Sequence, residues 1–145
     1  MKRYINQVEV GETILGVYDY NIVECEVISN EPDIWKTTTG DGFYEDIVEY
    51  IHYDHSMKIK IPGFKNIYYR RYDDFYDKLG HALFHSEIWN DPSPSIEVFV
   101  NKDEALEYFK TKCESMINLN NDKIKELNDK NDYIYEQMKI LKKYE

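Results

Sequence analysis

Nowhere in this sequence do about 18 apolar residues follow one another, which excludes a membrane-spanning helix. The opening MKRYINQVEV has two basic residues and no apolar stretch behind them, so no secretory leader is expected and a cytoplasmic location follows. Cysteine is scarce. Cys25 and Cys113 lie far apart at apolar-patterned positions and read as two reduced thiols in a cytosolic protein. Also missing are a phosphate-cradling glycine loop, a G-x-S-x-G elbow and a Cys/His pair at a catalytic spacing. Carboxylates abound, but abundance is not an acid/base pair. The expectation is a protein that is not an enzyme and carries no cofactor.

What is present suffices for a core. Of the 145 residues 42% are hydrophobic, and 14 Tyr, 6 Phe and 2 Trp supply large side chains. Each buried tyrosine then needs a partner for its hydroxyl. The net charge is −10 and is unevenly spread. Residues 1–100 hold 9 basic against 18 acidic side chains, whereas residues 101–145 hold 9 against 10. The densest acidic stretch carries Glu31, Asp33, Asp41, Glu45, Asp46 and Glu49 against the lone Lys36. Such a face repels nucleic acid and steers a basic partner inward, or it serves solubility alone.

The pattern divides the chain into an acidic β domain, 1–100, and a helical tail, 101–145. Gly11 and Gly16 bracket a short strand, Glu12 to Leu15, and Tyr18-Asp19-Tyr20-Asn21 is turn-like. In Ile22 to Ile28 the residues Val23, Cys25 and Val27 fall on one face and Glu24 and Glu26 on the other, a half-buried strand with a wet outer side. Ser29 to Gly42, with Pro32, Gly40 and Gly42, reads as a long loop. Strands are predicted again at Ile47–Tyr53, Met57–Ile61, Asn66–Tyr72, Ala82–Phe84 and Ile96–Val100. A polar corner separates Tyr72 from Gly80, and the prolines keep Trp89–Ser95 irregular. The fold class is therefore α+β: a small antiparallel barrel or bent sheet followed by a long C-terminal helix.

Asn101 is a good N-cap, Glu104 three residues on completes a capping box, and Val100 is placed to staple onto Ala105, so helix is predicted from Lys102. Leu106, Phe109, Cys113, Met116 and Ile117 mark one apolar stripe. Asn118, Asn120 and Asn121 predict a bend or break. With Ile117 at a heptad a position, the a and d sites beyond it include Ile124, Leu127, Asn131, Ile134, Met138 and Leu141. Asn131 at a central a site is a register device that favours two strands, so the tail is expected to form a homodimeric coiled coil; the alternative is a helix folded back on its own domain.

Two histidine pairs, His52 with His55 and His81 with His85, invite a zinc reading, but no cysteine stands near them and no metal is expected. Tyr68-Tyr69-Arg70-Arg71-Tyr72 is the only basic cluster of the front domain and is interleaved with aromatics. It is the candidate strand for a nucleotide or other small ligand, with Tyr68, Arg70, Arg71 and Tyr72 as its contacts. Against this stands simple pairing of Arg70 or Arg71 with Asp73 and Asp74.

Val10-Gly11-Glu12-Thr13-Ile14, Ile22 to Val27, Gly80 to Phe84 and Asn101-Lys102-Asp103-Glu104-Ala105-Leu106 resemble the "vGdtVY", "ivEctV", "vF" and "lTrEEA" elements of small phage and prophage accessory proteins of low-GC Gram-positive bacteria. Here His85 to Phe99 intervenes between the last two elements, which adjoin in that family. The resemblance implies an SH3-like barrel with a C-terminal helix, and no catalytic residues. Some acidic phage proteins of this size block host defences, anti-CRISPR inhibitors among them. The leading expectation is thus a protein-binding inhibitor whose acidic face, built on Glu31, Asp33, Asp41, Glu45, Asp46 and Glu49, occupies a basic groove of a host nucleic-acid-binding defence enzyme, with no membrane contact and no direct DNA contact. A nucleotide-signal module and a structural phage subunit are the alternatives.

Overall fold

The computed structural model describes residues 2–73 and 78–144, so Asp74, Phe75, Tyr76 and Asp77 of the polar corner lie outside the described residues. A single 3-10 turn, Ile5–Gln7, precedes six strands: β1 (Thr13–Tyr18), β2 (Asn21–Thr39), β3 (Val48–Lys60), β4 (Tyr68–Tyr72), β5 (His81–Ser86) and β6 (Ile96–Phe99). One helix, α1 (Lys102–Leu141), follows. Each strand pairs antiparallel with the next and β6 returns to β1, so the sheet's hydrogen bonds run in a ring. The chain divides into two compact units, Met1–Phe109 and Lys110–Glu145. None of the described helices is long and apolar enough to cross a membrane.

The ring closes around Cys25, Val27, Met57, Ile59, Tyr68, Phe84 and Ile96, all fully or almost fully buried. Alternation along β2 places these side chains as expected: Cys25 and Val27 are inside, while Glu24 and Glu26 are exposed. Each such aliphatic side chain contributes roughly 1.5–3 kcal/mol by leaving water. Burial also pushes the Cys25 thiol up to about 12, so it stays protonated and unreactive at neutral pH. Gly16 does not end β1 but sits within it. A Cβ there would lie 2.9 Å from both Cys25 Sγ and Ile96 Cγ2, so the core itself requires the glycine. On the opposite side of β1, Val17 joins Phe99 and Ala105, with Leu15 and Phe109 packed beside them.

Two predicted breaks are absent. Ser29 to Thr39 is strand, continuous with the rest of β2, and the segments around His55 form one unbroken β3. Three consecutive β-branched threonines favour the extended chain, and Pro32 is tolerated because its missing N–H falls on the unpaired edge of the sheet. Likewise α1 runs through Asn118, Asn120 and Asn121 without interruption, since each exposed asparagine costs under about 0.7 kcal/mol in a helix.

The predicted capping box is replaced by ties to the chain start. The Asn101 side chain accepts from the Arg3 N–H at 3.0 Å and donates to the Arg3 carbonyl at 2.9 Å, and the Glu104 carboxylate lies 3.3 Å from Lys2 Nζ. Arg3 further grips Glu12 through two charge-assisted bonds of 2.9 and 2.8 Å, which together with the Glu9 N–H hold the Glu12 carboxyl below its ordinary range.

Candidate functional site

β1 pairs with β2 only as far as Glu26, Gly11 and Glu12 bond Val27, and β4 covers β3 only from His55 onward, so residues 33–54 form a two-stranded arm beyond the ring. A bulge between Val27 and Ser29, ahead of the arm, shifts the register and re-aims the side chains that follow. Pairs opposite one another share a face, so Asp33/Asp54, Trp35/His52 and Thr37/Tyr50 lie on one side, and Ile34/Tyr53, Lys36/Ile51 and Thr38/Glu49 on the other.

The first side is held by a chain of contacts. Arg71 Nε donates to Asp33 Oδ2 at 2.8 Å, and its guanidinium lies 4.8 Å from the Trp35 ring centre. Trp35 stacks on His52 with ring centres 4.0 Å apart and planes 15° from parallel, and its Nε1 donates to Asp54 Oδ2 at 2.6 Å. Thr37 Oγ1 and His52 Nε2 meet at 2.9 Å. These contacts stiffen the arm where backbone pairing alone would leave a two-stranded ribbon marginal.

The other side and the tip are open. Ile34, Ile51 and Tyr53 continue the core-facing side of the sheet past the last covering strand, and they are exposed. At the tip Gly40 and Gly42 take φ of +92° and +75°, and a Cβ on Gly40 would strike the Asp46 carbonyl. Asp41 Oδ1 accepts from the N–H groups of Phe43, Tyr44 and Glu45 at 2.8, 2.9 and 3.2 Å, which holds the Asp41 carboxyl below its usual range. This turn presents Phe43 and Tyr44 at 91% and 94% exposure. Two bare aromatic rings beside Glu45, Asp46 and Glu49 make an apolar point with an acidic rim.

The six acids singled out from the sequence are therefore on one arm but not on one face. Glu31 and Asp33 stand on the Trp35 side, Glu49 stands on the other, and Asp41, Glu45 and Asp46 are in the tip. Asp33 is engaged by Arg71, and Asp41 builds the turn. Glu45, Asp46 and Glu49 are exposed carboxylates free to meet a partner's cations.

In β4 the rings of Tyr68 and Tyr72 lie in the core, with Tyr72 Oη donating to Asn30 Oδ1 at 2.6 Å, so neither can stack a base. Arg71 pairs across to Asp33. An open cleft of about 330 Å³ beside it is lined by Glu31, Asp33, Lys58, Tyr69, Arg71 and Glu87, and its two cations are both paired with acids, Lys58 Nζ lying 3.3 Å from Glu87. Of the histidines, His52 and His55 point to opposite sides of β3, the latter against Tyr72. His81 stacks on Phe99 and His85 meets Ser95 Oγ at 2.8 Å; four residues along a strand put roughly 13 Å between them. Among the described residues no three His, Cys, Asp or Glu side chains gather as a metal-binding group.

In the second unit Ile124, Leu127, Ile134, Met138 and Leu141 are each 54 to 59% exposed along α1, and Asn131 is exposed among them. No protein-family profile, curated protein or solved structure matches the chain.

Proposed function

We propose that this chain acts by binding, and that the tip of the β2–β3 arm engages a partner protein with a basic surface. The observation that carries the reading is the tip itself: Phe43 and Tyr44 almost wholly exposed, held there by Asp41 and rimmed by Glu45, Asp46 and Glu49. Exposed aromatics are the side chains that anchor interfaces once a pocket desolvates them, and rim charge sets encounter rate and choice of partner. The fold that goes with this reading is a small SH3-like barrel bearing an elongated hairpin, and the role is that of a phage-encoded, non-enzymatic inhibitor of a nucleic-acid-binding defence enzyme of the CRISPR type, acting in the host cytosol. A basic groove that normally holds nucleic acid supplies the complementary charge.

The experiment is inhibition of guide-directed DNA cleavage by a panel of purified CRISPR nucleases, with Glu45, Asp46 and Glu49 all changed to lysine in one variant. Asp41 is left intact because its carboxylate builds the turn. The variant is expected to lose at least about tenfold in potency, or about 1.4 kcal/mol, at an unchanged melting temperature. Equal potency of variant and parent would remove the tip from the mechanism.

A second copy is the partner for the helix in the same reading. An apolar stripe left exposed over several heptads, with an asparagine at a central a site, suits a two-stranded coiled coil. Leu127→Glu combined with Ile134→Glu is expected to bring the mass in light scattering from about twice 17.5 kDa to 17.5 kDa. A parent chain that scatters as a monomer at high concentration would exclude the pairing.

A further inference from the structure

The arm carries a second recognition feature besides its tip. Val27 receives a hydrogen bond from Gly11 N–H and donates its own N–H to the Glu12 carbonyl, so its backbone groups face the β1 side. Its partner Ile59 therefore turns away from β2, Lys58 turns toward it, and the alternation continues along β3 through His55, Tyr53 and Ile51. Their partners Pro32, Ile34, Lys36 and Thr38 direct their main-chain groups outward in turn. Pro32 has no N–H to leave unsatisfied there, which fits the assignment. Among the described residues no backbone group bonds the outer edge of β2 from Glu31 to Thr39. The edge is roughly 30 Å long and carries one lysine. Pro32 guards its base and Lys36 is its one basic guard, and a long edge with unpaired main-chain groups beyond them is a template for another strand.

We propose that this edge accepts an extended strand of the basic partner, paired main chain to main chain with Ile34, Lys36 and Thr38; the proposal rests on the basic-partner reading above. The two sides of the arm specify the incoming strand. On one side lie the exposed Glu31 and, already bonded to Arg71 and Trp35 but with lone pairs to spare, Asp33 and Asp54; on the other lie the exposed Ile34, Ile51 and Tyr53 with Lys36 and Glu49. A strand alternating basic with β-branched residues places its cations along the first side and its apolar side chains along the second. Residues 31–54 hold seven acids against Lys36 alone, which disfavours a second copy of the same arm as the occupant. Main-chain pairing supplies affinity and the alternating faces supply selectivity.

The test uses the full chain, isotopically labelled, with the peptide Lys-Val-Lys-Val-Lys-Val-Lys as probe. In the free protein the amides of Ile34, Lys36 and Thr38 are expected to exchange rapidly with solvent and those of Trp35 and Thr37 slowly. Peptide binding is expected to slow the first three at least about tenfold. The same peptide N-methylated on alternate residues keeps its charge and loses one row of donors, and is expected to bind at least about tenfold more weakly. Equal binding of the two peptides would overturn strand addition while leaving an acid-directed contact intact; binding of neither would overturn both. A double variant, Ile34→Pro with Lys36→Pro, is expected to lose the peptide while Trp35 fluorescence stays unchanged. If it loses Trp35 packing instead, the methylated peptide decides. Protection of the three amides in the free protein that falls on dilution would place a second copy on the edge and overturn the assignment to a basic partner.

Discussion

Val27→Asp is expected to unfold the sheet unit, or bring it to the verge of unfolding, at room temperature. Val27 is 0% exposed and lies in the cluster with Cys25, Met57, Ile59 and Phe84, which offer no charge and no donor beyond the weak Cys25 thiol, itself directed at the Val23 carbonyl. An ionised carboxylate there carries an uncompensated penalty of several kcal/mol. If the group protonates instead, the valine's burial, about 1.5–3 kcal/mol, is still lost, and the acid's hydroxyl remains without a partner. Either route removes a large part of the 5–15 kcal/mol that a domain of this size has. The neighbouring Glu26→Ala, on the exposed face of the same strand, is expected to stay within about 0.5 kcal/mol of the parent. Urea denaturation followed by tyrosine and tryptophan fluorescence reads both. A Val27→Asp midpoint equal to that of the parent would mean that the facing of β2 is wrong.

The alternation of Val23, Cys25 and Val27 with two glutamates made this strand readable, because one buried face imposes a period of two on the sequence. The α+β order and the start of the helix were legible for a similar reason: turn residues and a change of period mark where one element gives way to another. The arm was not. The outgoing strand buries little, so Ile34, Lys36 and Thr38 on one side show no run of apolar residues, and Pro32 with two glycines reads as loop. A sign was present in Thr37-Thr38-Thr39 facing Val48-Glu49-Tyr50, two β-prone runs around a glycine-rich turn. The acids were found in sequence, but their division between two sides and a tip depends on pairing register. The aromatic tip was missed because Phe43 and Tyr44 in a loop look like ordinary core candidates until a turn holds them outward. Tyr68 and Tyr72 err the other way: aromatics beside arginines look like a binding strand, and register with Ile59 and His55 sends both rings inward.

Excising the arm asks whether recognition resides in it. Asp33 and Asp54 lie opposite one another on the two strands, so residues 34–53 can be replaced by an Asn-Gly turn without disturbing the ring. Every residue of the buried core lies outside that segment, so the shortened protein is expected to melt within a few degrees of the parent. What it loses is the aromatic tip, its acidic rim and the free edge of β2. If the proposed inhibition holds, association with the inhibited nuclease, measured across a salt series, is expected to vanish with the arm, while the intact protein's association rate falls steeply as salt screens the acids. An arm-less protein that folds and still binds and inhibits with the parent's affinity would contradict the account.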